Sequence, residues 1–210
     1  MQASSYRLMK QIMNPSIARD TPAPSSETAS LVLHKQQLRT ALLARRKALD
    51  VQERELADAR IGQRVLEWTM RAGVSSLAVY QPIRGEPDLA AAYNALAARG
   101  VHLCLPVVVE KDAPLLFRAW QPGDALQKDA LGTLAPLPSA PEIRPQALLI
   151  PCVGFNAAGF RLGYGGGFYD RTLAGLPRPR AVGVCYRFGL AAFEAQAHDV
   201  PMEAILTDAD

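Results

Sequence analysis

Residues 151–171 read PCVGFNAAGFRLGYGGGFYDR, and this stretch sets the expected fold of the chain. The apolar run ALLI at residues 147–150 precedes it and is typical of a short buried strand. Glycines then cluster up to Gly167, and a helical pattern begins near Asp170. A strand, a glycine-rich loop and a helix in this order favour a phosphate site, because glycine lets a ligand approach the backbone and a helix N-terminus offers free N–H groups.

The glycine loop matches neither of two common nucleotide-binding patterns. No Gly-Lys-Ser/Thr follows it, which excludes a Walker A loop, and Phe168 stands where a dinucleotide fingerprint has its third glycine. Arg161 and Arg171 suit phosphate oxygens, while Asp170 suits a hard cation such as Mg²⁺ or serves as a helix N-cap. The loop's aromatic side chains either stack on a flat heterocycle or belong to the core: Tyr164, Phe168 and Tyr169.

The composition is that of an ordinary globular domain. The chain has 210 residues, of which 49% are hydrophobic and 20% charged, with a net charge of +3. This mild charge, without a basic stripe, predicts no nucleic-acid partner, and no apolar run reaches membrane-spanning length. The three cysteines form no CxxC pair, which favours buried free thiols and a cytoplasmic protein.

The first 30 residues differ from the rest. They contain Ser, Thr, Pro and Ala without clear periodicity, and we predict a disordered N-terminal extension over residues 1–30. Met13 as the true start is an alternative. Residues 31–210 are predicted to form a single domain.

Two helices are predicted at the start of this domain, over residues 31–49 and 52–71, with Gly73 ending the second. Leu38, Leu42 and Leu49 form the apolar face of the first helix, and Leu56, Val65 and Trp68 that of the second. Lys35 and Arg39 are four residues apart and therefore lie together on the first helix. By composition alone, a solvated basic face is the favoured interpretation of this pair.

A strand, a helix and a strand are predicted over residues 75–106, which implies a parallel sheet. Gln81 and Glu86 follow the first of these strands, at the edge where such sheets bind ligands. From these residues alone, a solvated loop with an acidic residue at the start of the next helix is the favoured interpretation. Further strands are predicted at residues 115–120, 147–150, 181–185 and 204–207, with a surface connection over 121–145 and a polar helical segment after Arg187.

Residues 159–171, GFRLGYGGGFYDR, resemble the signature of the 5-formyltetrahydrofolate cyclo-ligase (5,10-methenyltetrahydrofolate synthetase) family. Shorter matches occur in the family order at residues 149–155, at Lys35-x-x-x-Arg39, at residues 80–86 and at His198-Asp199. The resemblance extends from about residue 31 to the C-terminus. It implies an α/β fold, a three-layer α/β/α sandwich with a mostly parallel sheet, similar to the sugar-phosphate isomerase and CoA-transferase group.

The resemblance also implies an activity. ATP would phosphorylate the formyl oxygen of 5-formyltetrahydrofolate, N10 would attack the activated carbon, and phosphate would leave as 5,10-methenyltetrahydrofolate and ADP form. Mg²⁺ is the implied cofactor, ATP and the folate are the implied small-molecule partners, and a monomer is expected.

Site residues are implied position by position. The ATP-binding set is Lys35, Arg39, Arg161, Leu162, Gly163, Tyr164, Gly165, Gly166, Gly167, Phe168 and Tyr169. The folate-binding set is Gln81, Glu86, Tyr164, Gly165, Gly166, Gly167 and Phe168. Asp170 and Asp199 match the positions expected to bind Mg²⁺.

The loop departs from some family members, which carry basic residues at the positions of Tyr164 and Gly166 and a tyrosine at that of Phe168. Two other functions remain compatible with the residues. One is a sugar-phosphate isomerase, which would not need ATP, and the other is a folate- or nucleotide-binding protein without turnover.

Overall fold

The computed structural model describes residues 26–209, in which four α-helices and ten strands occur. The helices are α1 (Ser26–Lys47), α2 (Val51–Ala72), α3 (Ala90–Ala98) and α4 (Phe168–Ala174). The strands are β1 (Ser76–Ala78), β2 (His102–Val107), β3 (Leu116–Ala119), β4 (Leu126–Lys128), β5 (Leu134–Pro136), β6 (Ala147–Pro151), β7 (Gly154–Phe155), β8 (Arg161–Leu162), β9 (Arg180–Val184) and β10 (Ala204–Leu206). Helix α1 thus begins before residue 31, and the predicted disorder of residues 1–25 lies outside the described residues.

The central sheet has the order β10-β9-β6-β1-β2-β3. All its neighbouring pairs are parallel except β2 and β3, which are antiparallel. The predicted parallel βαβ unit over residues 75–106 is confirmed, as is the mostly parallel sheet.

Side-chain alternation along the strands builds a core on each face of this sheet. Leu77 and Leu149 lie in the core shared with α2 and α3, whereas Leu148 and Ile150 lie in the core shared with Leu173 of α4. Because both faces are covered, the strands read as apolar runs rather than as alternating ones. The predicted three-layer α/β/α arrangement is confirmed.

Helix α2 is defined by its caps. The Asp50 carboxylate accepts a hydrogen bond from the Glu53 N–H, and Gly73 ends the helix at φ 63°, a left-handed conformation that glycine adopts without strain. The helix buries Val65 and Trp68 as expected. The prediction for Leu56 is wrong: its side chain is 63% exposed, because nine residues separate it from Val65 and therefore place it on the opposite side of the helix.

Two segments differ from the predictions. The connection over residues 121–145 contains the β4–β5 hairpin. The helical segment expected after Arg187 is a single 3-10 turn, Arg187–Gly189, followed by extended chain. There the Ala191 N–H donates to the Phe155 carbonyl oxygen, so bonds to a neighbouring strand replace those within a helix.

The cysteines fulfil their predicted role as buried free thiols: Cys104, Cys152 and Cys185. None of the described helices is long and apolar enough to span a bilayer.

Candidate functional site

One cavity of about 570 Å³ lies beyond the carboxyl ends of β1, β2 and β6. Parallel sheets commonly bind ligands at this edge, because the loops that follow the strands converge there. The cavity wall contains all the site residues predicted from the sequence: Lys35, Arg39, Gln81, Glu86, Arg161, Leu162, Gly163, Tyr164, Gly165, Gly166, Gly167, Phe168, Tyr169, Asp170 and Asp199.

Helix α1 brings two cations to the glycine loop. Its Leu42 packs in one apolar cluster with Val153, which directly precedes β7, and with Leu162 of β8. Arg39 donates from Nε to the Gly163 carbonyl oxygen over 2.8 Å. Lys35 is only 7% exposed, so the alternative of a solvated face is wrong for this residue. Burial lowers the pKa of Arg39, and the negative charge of Asp199 opposes that shift.

The glycine loop itself needs residues without side chains. Gly165 and Gly167 have φ values of 94° and 66°, and a Cβ on Gly167 would lie 2.7 Å from a guanidinium nitrogen of Arg171. Gly167 is also the N-cap of α4, so the alternative of Asp170 as N-cap is wrong. Arg171 donates to the Gly166 carbonyl oxygen and lies outside the cavity wall, where it braces the loop.

The two candidate metal ligands are each paired with a cation. Asp170 accepts a 2.6 Å hydrogen bond from Arg161, and Asp199 accepts a 2.9 Å bond from Lys35. Burial alone would raise the pKa of Asp199, but the Gln196 N–H and Lys35 outweigh it and lower the pKa.

A divalent cation would have few protein ligands here. No cluster of three His, Cys, Asp or Glu side chains occurs within residues 26–209. Asp170 Oδ2 and Asp199 Oδ1 nevertheless accept no hydrogen bond from the described residues. Since Mg²⁺ is usually held by one or two carboxylates, waters and substrate phosphates, this donor set fits Mg²⁺ rather than a fully protein-bound metal.

Glu86 provides a buried carboxylate in the cavity wall. It follows a tight turn in which Arg84 and Gly85 both have positive φ, and the Glu86 N–H closes the turn onto Ile83. The Glu86 side chain is fixed at both oxygens, since Oε2 accepts from the Ile83 N–H and Oε1 from the Tyr164 hydroxyl, each over 2.9 Å. Burial raises the pKa of this carboxyl, against the effect of these bonds and of the nearby arginines.

Comparison with known proteins identifies the family. The model of the 5-formyltetrahydrofolate cyclo-ligase family matches residues 32–208, which include every residue of the cavity described above.

The chain belongs to the 5-formyltetrahydrofolate cyclo-ligase family.

Individual relatives agree with this assignment. A 5-formyltetrahydrofolate cyclo-ligase of Mycolicibacterium smegmatis is 32% identical over 186 residues, covering 82% of this chain and 93% of the relative. The solved 5,10-methenyltetrahydrofolate synthetase of Mycoplasma pneumoniae superimposes with a TM-score of 0.70 at 27% identity, covering 83% of this chain and 99% of the other. The synthetase of Aquifex aeolicus gives a TM-score of 0.72 at 26% identity, covering 84% and 90% of the two chains.

In this cyclo-ligase family member, several site residues were not predicted from the sequence. Arg84 lies in the cavity wall with its guanidinium carbon 5.3 Å from the centre of the Tyr164 ring. The β4–β5 hairpin adds Leu131 and Leu134 to the wall, for which the sequence offers no signal. Arg46 lies outside the cavity wall and contacts Tyr164. The sequence could have indicated this residue, because Arg46 lies eleven residues after Lys35 and therefore on the same face of α1.

Proposed function

We propose that this protein converts 5-formyltetrahydrofolate to 5,10-methenyltetrahydrofolate in an ATP- and Mg²⁺-dependent reaction that releases ADP and phosphate. Family membership supports the reaction. At the level of residues, the proposal rests on one observation: the cations of α1, the glycine loop and the buried Glu86 carboxylate line the same cavity.

The ATP subsite is assigned to α1 and the glycine loop. Lys35 and Arg39 of α1, together with Arg161 of β8, supply positive charge for the phosphates from the cavity wall. The residues of the loop, 161–169, surround the nucleotide with backbone N–H groups and aromatic side chains. A loop of this kind neutralises transferring charge without needing a lysine of its own.

Asp170 and Asp199 are the residues that would hold Mg²⁺ between the protein and the phosphates. The bound ion would supply additional neutralisation of the charge on the transferring phosphoryl group. Until it binds, Arg161 and Lys35 hold the two carboxylates in position through their hydrogen bonds.

The folate subsite is assigned to Glu86 and Gln81, with Tyr164, Gly165, Gly166, Gly167 and Phe168 on the loop side. A carboxylate acceptor suits the 2-amino-pyrimidinone edge of a pterin, which offers N–H donors. The formyl oxygen then takes the phosphoryl group of ATP, and N10 displaces phosphate from the activated carbon.

This chemistry requires positioning and charge stabilisation rather than a covalent nucleophile. Burial raises the pKa of the Cys152 thiol to about 12, and this residue lies outside the cavity wall, so a role as nucleophile is not supported. We also predict that the protein is a monomer and acts in the cytoplasm.

Turnover tests the proposal. Purified protein with ATP, Mg²⁺ and 5-formyltetrahydrofolate should produce the methenyl chromophore, and omission of ATP should abolish it. Folded protein that binds both substrates and forms no product would refute the proposed function.

A further inference from the structure

Arg46 is a cation buried without a carboxylate partner. It is 1% exposed, and none of the ion pairs within residues 26–209 includes it. Its Nη2 donates to the Cys152 carbonyl oxygen and its Nη1 donates to the Tyr164 hydroxyl over 3.0 Å, while Nε has no partner among the described residues. A buried charge is costly unless it is compensated, so packing alone does not explain an arginine here.

The hydrogen bonds of Tyr164 have a fixed direction. A guanidinium only donates, so the Tyr164 oxygen accepts from Arg46, and the single phenolic proton is left for another acceptor. That acceptor is Glu86 Oε1, 2.9 Å away. Arg46, Tyr164 and Glu86 therefore form a one-way chain of donors that ends on a cavity-wall carboxylate.

The chain leaves the Glu86 carboxylate with acceptor capacity toward the cavity. One lone pair of Oε1 is used by Tyr164 and one of Oε2 by the Ile83 N–H. A carboxylate has about four such acceptor positions, so capacity remains on both oxygens for a ligand with adjacent N–H donors.

We propose that Arg46 is a positioning residue of the folate site, which acts through the Tyr164 hydroxyl to hold Glu86 as a fixed acceptor for the N–H edge of the pterin. This inference rests on the proposed function, because it assigns Glu86 to the folate. Arg46 itself does not touch the substrate, since it lies behind the cavity wall.

The surroundings of Arg46 support a positioning role. Arg54 donates to the carbonyl oxygens of both Arg46 and Gly85, so it links the end of α1 to the turn that carries Glu86. The backbone at the two ends of the donor chain is thus linked by the Arg54 side chain, without the involvement of Tyr164.

The test compares Tyr164→Phe, Arg46→Met and the double variant. Each single substitution breaks the donor chain: Arg46→Met removes its first hydrogen bond, and Tyr164→Phe removes both. Each should therefore release Glu86 from its fixed orientation and raise the KM for 5-formyltetrahydrofolate about tenfold, the size expected for one hydrogen bond to a charged group. The KM for ATP should change less than about twofold, because Arg46 lies outside the cavity wall and Tyr164→Phe keeps the aromatic ring and the backbone of the loop. The double variant should be no worse than either single variant, because residues that act through one another are not additive.

Two matched controls separate this effect from general damage. Arg45→Met removes the neighbouring, exposed arginine, and Tyr93→Phe removes a buried hydroxyl that has no partner among the described residues. Both should keep the folate KM of the wild type. Arg46→Lys retains a donor and should lose less than Arg46→Met. If Arg46→Met fails to fold, Tyr164→Phe still decides, since it removes one atom.

Additive losses, equal changes of the two KM values, or an unchanged folate KM in Tyr164→Phe would overturn the positioning role. A direct measurement of 5-formyltetrahydrofolate binding in the absence of ATP distinguishes failure of the positioning role from failure of the proposed function. Wild-type protein that binds folate without turning it over, with binding weakened in both single variants, would refute the function and leave the positioning role. Normal wild-type turnover with an unaffected folate KM in the variants would support the proposed function and overturn the positioning role. Absence of folate binding by the wild type would overturn both claims.

Discussion

Replacing Lys35 with methionine removes one charge from the α1 side of the cavity and keeps an unbranched apolar side chain that is one atom shorter. Lys35 Nζ lies 2.9 Å from Asp199 Oδ2 and 5.6 Å from the centre of the Phe193 ring. Methionine retains the packing on Phe193 but leaves Asp199 without the Lys35 ammonium group; the Gln196 N–H, His198 Nε2 at 3.8 Å and the charge of Arg39 remain. The substitution therefore tests charge rather than shape.

Two effects are expected. The side chains of the pair are 9% and 16% exposed, between a surface and a fully buried ion pair, so its loss should cost about 2 kcal/mol. For a domain of this size that lowers Tm by about 4–8 °C. Loss of one charged contact to the phosphates should in addition raise the KM for ATP about tenfold, with the folate KM changed less than about twofold.

The stability effect depends on pH in a defined direction. Because the fold lowers the pKa of Asp199, its contribution is complete above the unfolded-state value of about 4 and is lost as the pH falls through the folded-state value. The difference in unfolding free energy between wild type and Lys35→Met should thus have its full value at pH 7. It should decrease as the pH falls below about 4.

Steady-state kinetics with each substrate varied, and denaturant unfolding at several pH values, measure both effects. Lys47→Met is the matched control, since Lys47 lies exposed in the last turn of the same helix. A destabilised Lys35→Met variant with an unchanged KM for ATP would refute the assignment of Lys35 to the nucleotide and leave it a structural residue.

Asp170→Asn should reduce Mg²⁺-dependent turnover and leave folate binding nearly unchanged, as measured by titration of Mg²⁺ and by direct binding; equal loss of both would make Asp170 structural. Gly154→Ala should destabilise the fold by about 1–3 kcal/mol in denaturant unfolding, because the new Cβ would lie 2.6 Å from Leu42 Cδ1 and 2.8 Å from the Gly189 carbonyl oxygen; unaltered stability would contradict this close packing. The three thiols should react with a thiol reagent at least about a hundredfold more slowly in the native than in the unfolded protein, since burial raises the pKa of Cys104 and Cys152 to about 12; rapid native labelling would show that they are accessible.

The sequence predicts those parts of the molecule that depend on local pattern. The apolar run at residues 147–150 gives β6, and the glycines after it give the loop, because a tight backbone approach requires residues without side chains. The spacing of Lys35 and Arg39 places both on one helix face, although only the fold shows that this face meets the loop.

Other features depend on contacts between distant segments. The chain after Arg187 has a polar helical pattern, yet it bonds to Phe155 and Asn156 in extended form. The β4–β5 hairpin reaches the cavity through the Asp129 carboxylate, which accepts from the Val108 N–H, a pairing that no periodicity reveals. Arg46 looks like one more surface charge in the run Arg45-Arg46-Lys47 until its partners are known.

The stoichiometry of one reaction tests the central claim most directly. With Mg²⁺, limiting 5-formyltetrahydrofolate and excess ATP, the purified protein should release one ADP for each 5,10-methenyltetrahydrofolate formed. No ADP should form without the folate, and no 5,10-methenyltetrahydrofolate should form without ATP. ADP formation that is independent of folate, or methenyl product without ADP, would contradict a cyclo-ligase site built from α1, the glycine loop and Glu86.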